Sequence, residues 1–368
     1  MKNLFKIFAI SAIAVIAAAC SKNSEQDRNV IRLTAQSGLA TKVAYSGVKD
    51  SNRERIDWES GDMIVIWCPE CQVPASHEAY YVLSDFSNSG YISKAKASLY
   101  NTDGTAKPLI WNENGADHHI YSVYPCPLQN SSVIFRLFMN TTPATAMYGA
   151  TVPASQAPVG ISSVTGGKVA QPDGKNLIMV ADGIFPYQTD VTLNFNPVVT
   201  AVEFTVMNGY ADQTDMVLSS IKLSAETAAI SGKFTAYYGA STATFTETGK
   251  VIEIPFTTPV RVAYGETLTF TVFMLGVESA TNTTISDMNI EFVTNSTTSI
   301  KAKLATSAGV MSFPRGKKSY VTGLIVPAAC VWTLSAVPTT VAAWDLEEMD
   351  LDLGRSVVID ENGIPVEG

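Results

Sequence analysis

Charge is scarce in this chain. Only 16% of its 368 residues are Asp, Glu, Lys or Arg, and the balance is acid, with a net charge of −9. A surface of that sign repels phosphates, so nucleic acid and anionic lipid head groups are not expected partners. Histidine is rarer still, with three residues, and cysteine comes to five. There is no Gly-x-Ser-x-Gly elbow, no glycine-rich phosphate loop and no His-Glu-x-x-His pair. The common hydrolase, nucleotide and zinc-protease signatures are therefore missing. No Asp-x-Asp-x-Asn-Gly calcium loop occurs, and nothing points to paired glycosidase carboxylates. No cofactor is implied, and the chain does not read as an enzyme. Long hydrophobic runs are also missing, with one exception at the start.

That exception is the most informative stretch. Lys2 and Lys6 precede a nearly unbroken apolar run from Ile7 to Ala19, and Cys20 follows. The run is too short for a permanent membrane helix and has the layout of a secretory signal, so residues 1–19 read as a signal peptide. Ala17-Ala18-Ala19-Cys20 resembles the bacterial lipobox, in which the cysteine becomes the acylated first residue. A plain signal-peptidase cut after Ala-x-Ala is the alternative. With Cys20 lipidated, the chain is expected on the outer membrane and the cell surface, held by acyl chains and not by a helix.

What the chain has in quantity is Thr, Ser, Val and Ala, a mix that suits strands and polar turns. Residues 20–55 read as a tether, a first strand at Val30–Ala35 and a loop over Gln36–Glu54. Gly61-Asp62 is a turn signal ahead of the apolar strand Met63–Trp67. Thr141–Asp173, rich in Pro, Gly and Ser, reads as a long surface loop or inter-domain crossing. Beyond it, Val191, Leu193 and Phe195 alternate with polar residues, and Val202–Val206 repeats the pattern. Such period-2 segments between Gly, Asn, Pro and Asp turns argue for an all-β chain of sandwiches. The expected division is 56–175 for an N-terminal domain, 176–327 for a C-terminal one, and 328–368 for a tail that ends in a strand at Arg355–Ile359.

With Cys20 assigned to lipid, Cys68, Cys71, Cys126 and Cys330 remain, enough for two disulfides in three pairings. Cys68-Pro69-Glu70-Cys71 has the spacing of a redox dithiol or half a zinc site, with His77, His118 and His119 as further candidate ligands. In an all-β setting a structural disulfide is the preferred reading, and no metal is expected. His118 and His119 are adjacent in a strand and point to opposite faces. The acidic stretch Asp345–Asp352 reads as a solvated face or linker, and the five tryptophans as core before sugar platforms.

Several segments together resemble the fimbrillin family of surface lipoproteins, the pilus subunits of Bacteroidales. They are Ile31–Ala35, then Trp58-Glu59-Ser60-Gly61-Asp62-Met63-Ile64, which is similar to a Trp-x-x-Gly-Asp-x-Ile signature, and His119–Pro125, with its Tyr-Pro strand end. Asn176–Ala181, Val191–Asn196 and Val202–Val206 resemble the strands that open the family's second domain. Ser220–Leu223 before Gly232-Lys233-Phe234, and Gly316–Tyr320, also fit. The resemblance implies two tandem transthyretin-like β-sandwich domains. It also implies assembly by strand exchange, in which a protease removes the first strand and a neighbour's strand fills the groove. Carried onto this chain, the removable strand is Val30–Ala35 and the cut falls near Lys42, Arg53 or Arg55. Family members often place an arginine where Thr41-Lys42 stands, a departure that leaves room for an anchor or tip subunit. Arg355, Ser356, Val357, Val358 and Ile359 are the candidate donor strand. Expected partners are other fimbrial subunits, the outer membrane through lipid, and host protein or glycan. The rival reading keeps the sandwiches but makes the chain a monomeric surface lipoprotein that binds glycans or host ligands.

Overall fold

The computed structural model describes residues 31–37, 44–50, 53–72, 77–89, 92–100, 108–113, 115–126, 136–138, 147–187, 189–210, 212–238, 243–276, 288–294, 299–304, 313, 315–316, 318–326, 329–333, 358–359 and 365–366. Among them the regular secondary structure is strand apart from a 3-10 turn at Gly174–Asn176. No helix among the described residues is long and apolar enough to cross a membrane.

Strands are numbered along the chain. Seven close into a barrel: β1 (Leu33–Ser37), β4 (Met63–Trp67), β5 (Glu78–Ser89), β6 (Ile92–Leu99), β7 (His118–Tyr124), β12 (Met179–Phe185) and β13 (Val191–Pro197). The order around it is β1-β13-β12-β7-β4-β5-β6, where an open two-sheet sandwich was expected. Every residue of β4 is buried, as a continuous apolar run demands when both faces are covered. β13 shows the other regime: Val191, Leu193 and Phe195 are buried while Asn194 and Asn196 are exposed.

The second lobe is a sandwich. One sheet has the order β10-β11-β19-β14-β22-β23, made of β10 (Gly160–Val164), β11 (Gly167–Gln171), β14 (Thr200–Asn208), β19 (Thr267–Met274), β22 (Lys318–Val326) and β23 (Ala329–Thr333). The facing sheet has the order β18-β15-β20-β21, made of β15 (Met216–Ala225), β18 (Val251–Val262), β20 (Met288–Thr294) and β21 (Ser299–Leu304). Val202, Phe204 and Phe270 from the first meet Ile221, Ile254 and Phe292 from the second in one buried cluster. The Phe204 and Phe270 rings stack at 5.1 Å.

A smaller sheet, β17-β16-β9-β8, joins β8 (Arg136–Phe138), β9 (Met147–Val152), β16 (Ser231–Tyr237) and β17 (Thr244–Gly249). Its Ala150, Val152, Phe234 and Ala236 pack into the hydrophobic cluster of the barrel.

Three expectations need correction. Thr141–Asp173 is not a loop, because it carries β9, β10 and β11. Nor does the chain change domain once near residue 175: β10 and β11 already pair in the sandwich, whereas β12 and β13 return to close the barrel. The segments at 176–181 and 191–196 therefore belong to the first lobe. Finally, Gln36–Glu54 holds strand as well as loop, since β2 (Ala44–Asp50) and β3 (Arg53–Asp57) form an antiparallel hairpin.

Candidate functional site

The seam at β1 is where local sequence and topology combine. β1 is the first described strand, and it pairs parallel with β13 on one side and antiparallel with β6 on the other. Parallel pairing needs a long excursion between the partners, and here the whole barrel chain intervenes. Ile31, Leu33 and Ala35 alternate inward and are buried. Their neighbours on the flanking strands are Ala95 and Ala97 on β6 and Val191 and Leu193 on β13. The start of β1 is held by backbone bonds: Ile31 N–H donates to Leu109 O at 3.1 Å, and Val191 N–H donates to Arg32 O at 3.0 Å.

The Trp58–Asp62 segment braces this seam. Gly61 takes φ +90°, a conformation L side chains rarely adopt. The turn it allows brings Asp62 back on Glu59, whose N–H donates to Asp62 Oδ2 at 2.8 Å. Tyr124 Oη donates to Asp62 Oδ1 at 3.1 Å. Burial pushes the Asp62 carboxyl up to about 6 against the pull of those hydrogen bonds, and burial beside Asp62 holds the Tyr124 phenol well above its ordinary range. Trp58 lies edge-on to Tyr124 at 5.3 Å and to Phe195 at 5.4 Å, and its backbone N–H donates to buried Ser93 Oγ at 3.1 Å. The motif thus ties β4, β6, β7 and β13 together around β1. Its role is architectural.

The sequence-predicted residues fall as follows. Cys20, Lys42, Arg355, Ser356 and Val357 lie outside the described residues. Arg53 and Arg55 lie within β3, and Val358 and Ile359 form β24 (Val358–Ile359), which pairs with β25 (Pro365–Val366). Cys68, Cys71 and Cys126 are buried and stand as thiols, and Cys330 lies in β23. Cys68 and Cys71 meet across a turn. Cys126 does not join them, because its N–H donates to Met63 O at the opposite end of β4, roughly 15 Å away at 3.3 Å per residue. Among the described residues no group of three or more His, Cys, Asp and Glu is arranged to hold a metal.

His118 and His119 part to opposite sides. His118 is buried against Trp111, with Nε2 accepting from Asn112 N–H at 3.0 Å and Nδ1 2.9 Å from Ala116 O. Those partners select the neutral ring with its proton on Nδ1. His119 points outward and joins Asp182 to Tyr121, with contacts of 3.2 Å from Nε2 and 2.8 Å from Nδ1. Tyr121 also stacks on Trp67 and touches Tyr238, at the junction with the small sheet. Sequence reasoning missed this cluster, since it depends on β12 returning beside β7. Trp58, Trp67 and Trp111 are core residues.

No family model matches the chain, and no curated protein matches its sequence. Solved structures do match. A candidate cell adhesion protein of Bacteroides ovatus shares 12% identity over 83% of this chain and 95% of its own, with a TM-score of 0.49. A candidate cell adhesion protein of Bacteroides uniformis shares 16% identity over 83% and 96%, with a TM-score of 0.46. A fimbrial assembly protein of Parabacteroides distasonis shares 9% identity over 82% and 93%, with a TM-score of 0.39. These neighbours carry the names of candidate cell adhesion proteins and of a fimbrial assembly protein. At these identities and scores none of them assigns a role to a residue of this chain.

Proposed function

We propose that this chain is a subunit of a cell-surface fimbria, exported as a lipoprotein acylated at Cys20 and assembled by strand exchange. The observation that carries the reading is the placement of β1, a short N-terminal strand that alone closes the barrel between β6 and β13. Taking it away would bare one hydrogen-bonding edge on each flanking strand and the apolar positions that Ile31, Leu33 and Ala35 now cover. Such a gap is costly in water and is suited to an extended strand with small and branched side chains at alternate positions. The self-supplied strand fills it until assembly.

The proposed cut lies at Lys42. Arg53 and Arg55 are bound into the β2–β3 hairpin, and paired strands resist proteases. The proposed donor is the C-terminal strand that includes Val358 and Ile359, taken up by a neighbouring subunit.

The test is the intact mass of the protein taken from the native cell surface, run beside an unboiled gel. A mass that begins just after Lys42, with an SDS-resistant ladder, supports a strand-exchanging subunit. A mass that begins at acylated Cys20 with no ladder overturns exchange and moves the search to a bound ligand.

A further inference from the structure

The Cys68–Cys71 pair is not used by the reading above. Cys71 N–H donates to Cys68 O at 3.4 Å, which closes Cys68-Pro69-Glu70-Cys71 into a four-residue turn. In such a turn the first and last Cα atoms lie within about 7 Å, the span a disulfide bridges. Both side chains face the same side: they hydrogen-bond with each other, and both belong to the core cluster of the barrel. Glu70 between them accepts from Cys68 Sγ at 3.8 Å and from His119 N–H at 3.1 Å, so the turn is docked on β7. Cys68 N–H donates to His77 O and Gln72 N–H to Ile110 O, which pin the chain on either side of the turn. Cys126, at the other end of β4, cannot compete for either thiol without unfolding the barrel.

We propose that Cys68 and Cys71 are a modification site: the exported chain is oxidised there to a disulfide within the turn, before the barrel closes over it. The inference rests on the export reading for its oxidising surroundings. One thiolate attacks a sulfur of an exported disulfide-carrying oxidant, giving a mixed disulfide and releasing the oxidant's other sulfur as a thiol. The second cysteine then attacks the mixed disulfide and frees the remaining oxidant thiol. Two cysteine thiols have lost two protons and two electrons, and one oxidant disulfide has become two thiols.

The order of events follows from burial. Cys68 is 0% and Cys71 3% exposed in the folded chain. The Cys71 thiol is pushed far up by its hydrogen bond to Cys68, then by burial and the neighbouring Glu70. A buried, protonated thiol is a poor nucleophile and out of an oxidant's reach. Oxidation belongs to the folding chain, and the finished disulfide is shielded from reductants. The closed loop is so short that it removes little chain entropy, so the unbridged protein also folds.

Two experiments test this. In the first, the full chain is recovered from the cell exterior, unfolded in iodoacetamide without reductant, digested and weighed. The expected peptide carries Cys68 and Cys71 unalkylated and two hydrogens lighter, while Cys126 is alkylated. Alkylation of both, or a link from either to Cys126 or Cys330, overturns the pairing. In the second, reduced and unfolded full chain is refolded with oxidised glutathione, and the same oxidant is added separately to chain already folded. Closure during refolding, at least about tenfold faster than in the folded chain, is expected. Equal rates overturn the order of events, and failure to close in either arm overturns the pairing. The refolding arm is independent of where the native chain resides, so a wrong export reading and a wrong pairing are told apart.

Discussion

Two residues carry strain or charge that substitution would expose. Asp62 is 4% exposed and its carboxyl is held up at about 6, from an ordinary 3.8, chiefly by burial. The folded protein therefore keeps this proton more tightly than the unfolded chain does. The group favours folding most below pH 3.8, and that contribution fades as pH rises through about 6. The shift corresponds to about 3 kcal/mol across that window. The Asp62→Asn variant does not titrate, so the stability of the wild type relative to it should fall by about that amount between pH 3.5 and pH 7. Urea midpoints across that range check it, and a constant difference refutes it. The second residue is Gly232, at φ +119°, where an added Cβ would sit 2.1 Å from Glu247 O on β17. Here a positive φ and a backbone clash coincide, and backbone cannot swing aside. Gly232→Ala should cost roughly 3 kcal/mol or more, read as a lowered unfolding midpoint with the far-UV spectrum of an all-β chain retained.

At the level of elements, β1 is the testable unit. It contributes Ile31, Leu33 and Ala35 to the core, and its backbone pairs on both sides. Burying the Ile and Leu side chains alone is worth about 1.5–3 kcal/mol each. A chain that starts after residue 37 should be recovered folded only with a peptide of sequence 30–37 present, and native mass spectrometry should find one peptide per chain. The same peptide with Leu33→Asp should not bind, because it would place an unpaired carboxylate among Val191, Ala97 and their neighbours. A stable, peptide-free truncated monomer would sink the idea that β1 guards a groove. Much of this element was legible beforehand: Leu33 and Ala35 alternate with polar residues, and Val191–Phe195 alternates strictly, because both strands have one dry face. The β2–β3 hairpin was illegible, since AYSGVKD and RERID carry little apolar pattern, and pairing alone makes them strands. The β9–β11 region was hidden for a related reason: Pro153, Pro158 and Pro172 sit between short strands, and Gly149, Gly160 and Gly167 lie within them, instead of marking one long loop.

For the whole molecule, local pattern says nothing of which lobe a strand joins. The Pro-, Gly- and Ser-rich stretch Thr141–Asp173 reads as a crossing that ends a domain near residue 175, yet β12 and β13 run back to complete the barrel and β10 and β11 have already crossed to the sandwich. The lobes are interleaved in sequence, so cutting the chain near residue 175 should leave neither half folded. The C-terminus is different. Val358–Ile359 pairs only with Pro365–Val366 in a two-stranded sheet of its own, and no described strand of the barrel or the sandwich hydrogen-bonds to it. An isolated pair of this length is marginal in water, which leaves its edges available to a partner strand. Deleting residues 355–368 should therefore spare the fold and remove assembly: the urea midpoint should stay close to that of the full chain, while the SDS-resistant ladder disappears. A deletion that lowers the unfolding free energy by several kcal/mol would mean the tail completes its own lobe. A ladder that survives the deletion would place the donor elsewhere in the chain.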